Sequence, residues 1–374
     1  MIQSKVSLGF IHLEISTKCA LKCPRCPRTE FSGKYKVADM SLELIQKIFT
    51  SQILDECNNL RLCGGQGDPI YNSEMIEIVR HLKSHPNSPA IKIVTNGSYR
   101  SKEWWKELGT ILTSKDSVIF SVDGWDNESN NKYRIGSDFD SIVIGIKEIV
   151  KSKASVRWAT VIFKFNQDKI DFITDLARSL GVDYFDITKS TLFGSVFEGY
   201  KNPTLGYDPL EPDYEWTSKY GRHQRYTVKF TSKQLTKEDI IINKNNYIKN
   251  RQKYIDNYVI PLCKCVGLFY IDVEGVCYPC SWISHPFGTR RSKHSDRTIT
   301  WEENYFLKFR DKMNLNLVSF DEMWECELWN ILEGSWYSKD TCFIECESKC
   351  INKTVPENEK WRKQVKKAEG ALDA

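Results

Sequence analysis

With 374 residues, 41% of them hydrophobic, the chain is long enough to bury the core of one domain of about 200 residues and a smaller second unit. Its 53 Lys and Arg against 49 Asp and Glu leave a net charge of +4 with no basic stripe, which excludes nucleic acid as the default partner. No stretch approaches the roughly 18 consecutive apolar residues that a membrane span needs, and residues 1–10 lack the apolar core of a secretory signal, so a cytoplasmic protein without a membrane partner is expected.

From residue 10 to about 190, short β-rich runs alternate with amphipathic segments, the pattern of repeated βα units around a parallel sheet. The first strand is expected over Ile11–Ser16. Leu42, Ile45, Ile48, Phe49 and Ile53 follow at the spacing of one helix, then a second strand over Asn59–Cys63. Met75, Ile76, Val79 and Leu82 mark the next helix and Ile91–Thr95 the third strand. Trp104, Trp105, Leu108, Ile111 and Leu112 form another helical face before a fourth strand, Val118–Val122. Phe139, Ile142, Val143, Ile146, Ile149 and Val150 recur at helix period ahead of a fifth strand, Ser155–Phe163. A helix carrying Phe172, Ile173, Leu176, Ala177 and Leu180 ends at Gly181 as its C-cap and leads to a sixth strand, Tyr184–Thr188.

Six such strands predict an α/β fold, a partial (β/α)6 barrel related to the TIM barrel, occupying residues 1–200. In barrels of this kind the binding loops follow the C-terminal ends of the strands. Residues 201–260, with Pro203, Pro209 and Pro212 and weak periodicity, read as a connector containing some helix. Residues 261–352 form a cysteine-rich module and 353–374 a charged helical tail.

The 13 cysteines are unevenly placed: five lie before residue 64 and eight from Cys263 to Cys350. A disulfide scaffold belongs to short secreted chains, so bound metal is the better explanation. Cys19, Cys23 and Cys26 put three thiols on one short loop after the first strand. A four-iron four-sulfur cluster usually takes four cysteines, so three leave one iron open to a further ligand. A zinc knuckle is the competing reading, although zinc sites favour paired CxxC units.

The CxxxCxxC spacing of Cys19, Cys23 and Cys26 resembles the signature of the radical S-adenosylmethionine superfamily. That resemblance implies a 4Fe-4S cluster whose open iron chelates S-adenosylmethionine, one-electron cleavage to a 5'-deoxyadenosyl radical, and abstraction of a hydrogen atom from substrate. Gly65-Gln66-Gly67-Asp68-Pro69 resembles the superfamily's GxGEP-type loop, with Asp68 where glutamate is usual; its glycines allow close backbone approach to the cofactor's ammonium group. Ser121 and Asp123 resemble the S-x-D-G strand, and Tyr133-Arg134 the YR pair, of anaerobic sulfatase-maturating enzymes and their relatives. There the serine and arginine approach the cofactor's carboxylate, which an arginine fork suits. Thr95 and Asn96 either meet the ribose or simply form a turn.

Farther on, Cys265, nine residues, Gly275, four residues and Cys280 resemble the opening of the SPASM module, and Cys263 fits the same opening with eleven. Cys326 and the run Cys342-x3-Cys346-x3-Cys350 match that module's centre only in part. The implied ligand set, Cys263, Cys265, Cys277, Cys280, Cys326, Cys342, Cys346 and Cys350, would hold two auxiliary 4Fe-4S clusters, or one in the shorter twitch arrangement. A structural zinc ribbon on Cys263, Cys265, Cys277 and Cys280 is the alternative.

The resemblance implies a modifying oxidoreductase acting on a peptide or protein side chain by oxidation, crosslinking or epimerisation, with a reductant such as flavodoxin or ferredoxin. Many peptide-modifying relatives carry a leader-binding domain ahead of the barrel, whereas 18 residues precede Cys19, so a peptide is expected to be bound otherwise. Alternatives are a small-molecule dehydrogenase or epimerase, and a non-enzymatic iron-sulfur scaffold. On the substrate side, Cys63 is a candidate hydrogen-atom donor or else an inert buried thiol, while Asp186 and Lys189 are candidates for substrate binding or proton transfer or else charges on the rim. His12 reads as a satisfied strand residue.

Overall fold

A computed structural model describes residues 8–24, 26–30, 33, 35–189, 210, 225–230, 240–243, 267–281 and 308–335. The six expected strands are β1 (Phe10–Leu13), β2 (Asn59–Leu62), β3 (Ala90–Thr95), β4 (Ser117–Ser121), β5 (Ser155–Ile162) and β6 (Tyr184–Lys189), paired in parallel in that order. Between them run α1 (Pro27–Glu30), α2 (Leu42–Ile48), α3 (Ser51–Glu56), α4 (Met75–Leu82), α5 (Lys102–Ile111), α6 (Asn127–Asn131), α7 (Phe139–Ile149) and α8 (Ile170–Ser179). The result is the parallel α/β architecture of a partial barrel.

Alternation along each strand separates its two faces. In β5 the residues Val156, Trp158, Thr160 and Ile162 are buried while the intervening ones are half-exposed. The buried face meets the helices: Trp158 packs edge-on against Phe139 of α7, and Phe120 of β4 packs at a tilt against Trp105 of α5. The opposite, inner face carries more polar side chains, among them His12, Arg61, Lys92 and Arg157.

The single helix expected through Ile53 is two. Phe49 leaves helical geometry at φ −99° and ψ 68°, and the Thr50 hydroxyl accepts the Ile53 N–H to start α3. Such an N-cap contributes about 1 kcal/mol, enough to favour a fresh start over a distorted turn. Ser41, Ser101 and Asp138 cap α2, α5 and α7 in the same way. The helix before β6 closes as expected, with Gly181 at φ +82°, a left-handed conformation that costs glycine little.

The sheet continues beyond the six strands. From the expected connector come β7 (Arg225–Lys229), antiparallel to β6, and β8 (Ile240–Asn243), antiparallel to β7. These two runs of the connector, Tyr226-Thr227-Val228 and Ile240-Ile241-Ile242, are β-favouring, and the residues where its helix was expected otherwise lie largely outside the described ones. At the other edge β9 (Leu268–Ile271) pairs in parallel with β1, and β10 (Cys277–Tyr278) returns antiparallel to it. Phe10 to Leu13 align with Leu268 to Ile271, so the start of the cysteine-rich module is built into the barrel sheet. Phe269 packs between Trp324 of α9 (Phe320–Trp324) and Trp329 of α10 (Glu327–Ser335). Among the described residues no helix is long and apolar enough to cross a membrane.

Candidate functional site

The chain leaves β1 through Glu14 to Lys18 and enters the eight-residue cysteine loop that ends at Cys26. Its entrance is pinned by an isolated bridge between Ser16 and Asp39, and by the Thr17 hydroxyl, which donates to the Lys36 carbonyl and accepts the Ala38 N–H, both at 2.8 Å. Within the loop the Cys26 N–H reaches the Cys23 carbonyl at 3.1 Å, while the Lys22 N–H donates to the Ile135 carbonyl at 2.8 Å. The loop is therefore tied to the segment after α6.

None of the three thiols is in a disulfide. Burial pushes Cys19 up to about 12, with the negative charge of Asp68 adding to it; burial pushes Cys23 up to about 11 against the opposing pull of Arg134; Cys26 is raised by burial as well. The thiols are electrostatic neighbours in sequence order, Cys19 with Cys23 and Cys23 with Cys26. Buried thiols of this kind ionise when a metal supplies the compensating charge. Among the described residues no three His, Cys, Asp or Glu side chains converge on a single metal ion. A cubane cluster, which takes one thiolate per iron, does not ask them to, and the donor set fits that group.

Around this loop stand the residues expected at the strand ends. After β2, Gly67 passes so close to β1 that a Cβ there would lie 2.2 Å from the Ser16 carbonyl oxygen, which explains the glycine. The Asp68 N–H donates to the Lys18 carbonyl at 2.9 Å, stitching this loop to the cysteine loop. The Asp68 carboxylate accepts the Asn96 N–H at 2.6 Å and its side-chain amide at 2.7 Å, and also the Ile70 N–H at 3.2 Å. Burial nevertheless pushes it up to about 6. Asn96 in turn lies 3.5 Å from the Cys19 sulfur, and Thr95 accepts the Gly97 N–H at 3.0 Å. Asp68 and Asn96 thus act as a brace between the second and third loops and the first cysteine.

At the end of β4, Ser121 aligns with Ala159. Asp123 is wholly buried, accepts the Val161 N–H at 2.7 Å, and lies 2.7 Å from Arg134 Nε as an ion pair. Asn130 accepts the N–H groups of Asp123 and Gly124 at 2.9 and 3.1 Å. Arg134 faces Cys23 electrostatically, so Asp123, Arg134 and the cysteine loop form one charged cluster.

The remaining candidates fall less centrally. Cys63 lies beside the glycine loop, with burial pushing its thiol up to about 12, so that it keeps its proton. Asp186 is held at 2.8 Å by both nitrogens of an Arg157 fork and accepts the Thr227 hydroxyl, which leaves it engaged by two cross-strand partners. Lys189 ends β6, and its side chain lies outside the described residues. His12 is satisfied as expected, its Nε2 lying 2.6 Å from the Cys63 carbonyl oxygen. Of the second cysteine group, Cys277 is buried on β10, Cys280 follows it, and Cys326 is buried between α9 and α10; all three are free thiols. Cys263, Cys265, Cys342, Cys346 and Cys350 lie outside the described residues.

One residue escaped the sequence reading. Glu14, next after β1, is buried, accepts the Gln66 N–H at 2.7 Å, and is raised to about 7, chiefly by burial. The available signal was a lone carboxylate inside the apolar run Ile11 to Ile15.

The profile of the Radical SAM superfamily matches residues 13–177, the stretch that holds the cysteine loop and every strand-end loop just described. That stretch of the chain is thus similar to the Radical SAM superfamily. Radical SAM domains use a 4Fe-4S cluster and S-adenosylmethionine, which the three thiols suit. Over 180 residues the chain is 23% identical to a GTP 3',8-cyclase of Rhodopseudomonas palustris, covering 47% of this chain and 51% of the relative. Over 186 residues it is 27% identical to the tungsten-containing aldehyde ferredoxin oxidoreductase cofactor-modifying protein of Pyrococcus furiosus, covering 47% and 50%. The chain thus spans about half the length of the curated relatives it matches. Among solved structures it is similar to anSMEcpe with bound AdoMet and a Cp18Cys peptide, at TM-score 0.49 and 16% identity over 91% of this chain and 85% of that one. Streptococcus suis SuiB bound to precursor peptide SuiA gives TM-score 0.49 and 13% identity over 82% and 66%.

Proposed function

We propose that the chain is a radical S-adenosylmethionine enzyme that abstracts a hydrogen atom from a peptide or protein side chain. The observation that carries the reading is the loop of Cys19, Cys23 and Cys26, three free thiols at the C-terminal end of β1 inside the stretch similar to the Radical SAM superfamily. Bound there, a reduced 4Fe-4S cluster supplies the single electron that cleaves S-adenosylmethionine.

The chain's own residues hold and orient. Cys19, Cys23 and Cys26 ligate iron. The backbone of Gly65, Gln66 and Gly67 receives the ammonium group, and Asp68 and Asn96 keep that loop against Cys19. Ser121 and Arg134 take the cofactor's carboxylate, with Asp123 fixing the guanidinium from behind at 2.7 Å, and Thr95 and Asn96 border the ribose. Cys277, Cys280 and Cys326 join Cys263, Cys265, Cys342, Cys346 and Cys350 as ligands of one or two auxiliary clusters, and a flavodoxin- or ferredoxin-like protein delivers the electron. A small-molecule substrate is the second reading, favoured by the similarity to the GTP 3',8-cyclases.

Incubating anaerobically reconstituted protein with S-adenosylmethionine and dithionite tests the proposal. Release of 5'-deoxyadenosine and methionine is expected. Intact S-adenosylmethionine after many hours, with the cluster fully reduced, would leave a scaffold as the better account.

A further inference from the structure

Among the described residues, the Glu14 carboxylate links the C-terminal part of the sheet to the glycine loop. Strand β9 lies beside β1 with Tyr270 opposite His12, on the inner face. The Tyr270 hydroxyl donates to one oxygen of Glu14, and the other oxygen accepts the Gln66 N–H at 2.7 Å. A Cβ at Gly65 would lie 3.2 Å from the Tyr270 hydroxyl, so the phenol also bounds the loop sterically. The Tyr270 ring is held from the side by His12, edge-on at 4.9 Å. Glu14 is 2% exposed, so water does not replace a lost partner cheaply.

We propose that Glu14 and Tyr270 are positioning residues that couple the C-terminal module to the cofactor loop, so that a side chain some 200 residues beyond that loop sets how well residues 64–68 receive S-adenosylmethionine. This rests on the reading of Gly65–Asp68 as the cofactor loop. Neither residue touches the reacting atoms; both act through the backbone of Gln66. A module that docks by strand pairing alone would hold β1, yet it would leave the loop after β2 to find its own conformation.

Two readouts separate this coupling from its parent reading. The first is amide hydrogen exchange over residues 64–68 in the cluster-free full chain, which involves no cofactor. Glu14→Ala and Tyr270→Phe are expected to speed exchange there about tenfold, the loss of one buried hydrogen bond, while Glu14→Gln, which still accepts the Gln66 N–H, keeps most of the protection. Tyr278→Phe, in the same module with its hydroxyl on Asp272, is expected to leave residues 64–68 unchanged. The second is the dissociation constant of S-adenosylmethionine on the cluster-loaded chain, followed by the electron paramagnetic resonance of the reduced cluster; Tyr270→Phe should raise it about fivefold at unchanged iron content. Unchanged exchange in Glu14→Ala overturns the coupling itself. Faster exchange with unchanged affinity overturns its link to the cofactor. Should the wild-type chain fail to bind S-adenosylmethionine while exchange responds as expected, the cofactor-loop reading fails and takes that link with it.

Discussion

Replacing Asp123 by Asn tests the charged cluster behind the cysteine loop. Asp123 is fully buried and the Arg134 side chain is 14% exposed, with 2.7 Å between Oδ2 and Nε. Asparagine keeps the shape and still accepts the Val161 N–H through Oδ1, but its amide NH2 then faces Arg134 Nε in place of Oδ2, so the change removes both the charge and the acceptor. It leaves a buried guanidinium whose remaining electrostatic neighbours are Cys23, Tyr133 and Asp68, and breaking a buried pair in this way costs about 3–5 kcal/mol. Arg134→Gln should cost a similar amount by stranding the carboxylate. Because each single change strands the opposite charge and the double change strands neither, the double variant should lose at least about 2 kcal/mol less than the sum. Denaturant unfolding of the four proteins closes the cycle. A loss below about 1 kcal/mol in Asp123→Asn, or additive losses, would refute the pairing as a buried, mutually dependent unit.

Further outcomes follow from other buried groups. Glu14 holds its proton up to about 7 in the folded chain against an ordinary value of 4.5, so its contribution to stability is fully present below about pH 4.5 and is lost as pH rises through 7. Comparing wild type with Glu14→Gln by unfolding at pH 4.5 and 7.5 should show the variant gaining up to about 3 kcal/mol relative to wild type at the higher pH; a parallel pair of profiles contradicts this. Asp116 accepts Lys83 at 3.0 Å, the Ile91 N–H at 2.7 Å and both the N–H and hydroxyl of Thr113, so Asp116→Ala should cost about 3–5 kcal/mol in the same assay. Changing Cys19, Cys23 and Cys26 together to Ala should remove about four iron atoms from anaerobically prepared protein, leaving the auxiliary complement; an unchanged iron count would show that the loop holds none.

The barrel was legible because each of its strands and helices carries its own period: the alternation in Ser155–Ile162 and the helical spacing in Phe139–Ile149 are local signals. The break at Phe49 was hidden because Ile48, Phe49 and Ile53 stay on the buried side across it, and only the Thr50 cap marks it. Pairing between distant segments leaves no periodic trace, so the placement of β9 beside β1, with Ile271 opposite Leu13 across 258 residues, could not be read; Phe269 and Ile271 are buried in the core there. The cysteine loop stood out by its spacing and Asp68, Asn96 and Asp123 by their places after strands, whereas Arg134, beyond α6, stood out only through the resemblance of Tyr133-Arg134. Their mutual wiring did not, because a carboxylate that braces a neighbour and one that meets a ligand look alike in sequence.

The central claim is that the iron-sulfur cluster on Cys19, Cys23 and Cys26 leaves one iron for S-adenosylmethionine. The most direct measurement is the electron paramagnetic resonance spectrum of the reduced protein with and without that compound, in a variant retaining only these three cluster cysteines. The account predicts a 4Fe-4S signal that shifts when S-adenosylmethionine is added and is absent when the three cysteines are Ala. Bound zinc in place of iron, or a cluster signal indifferent to the compound, would contradict it.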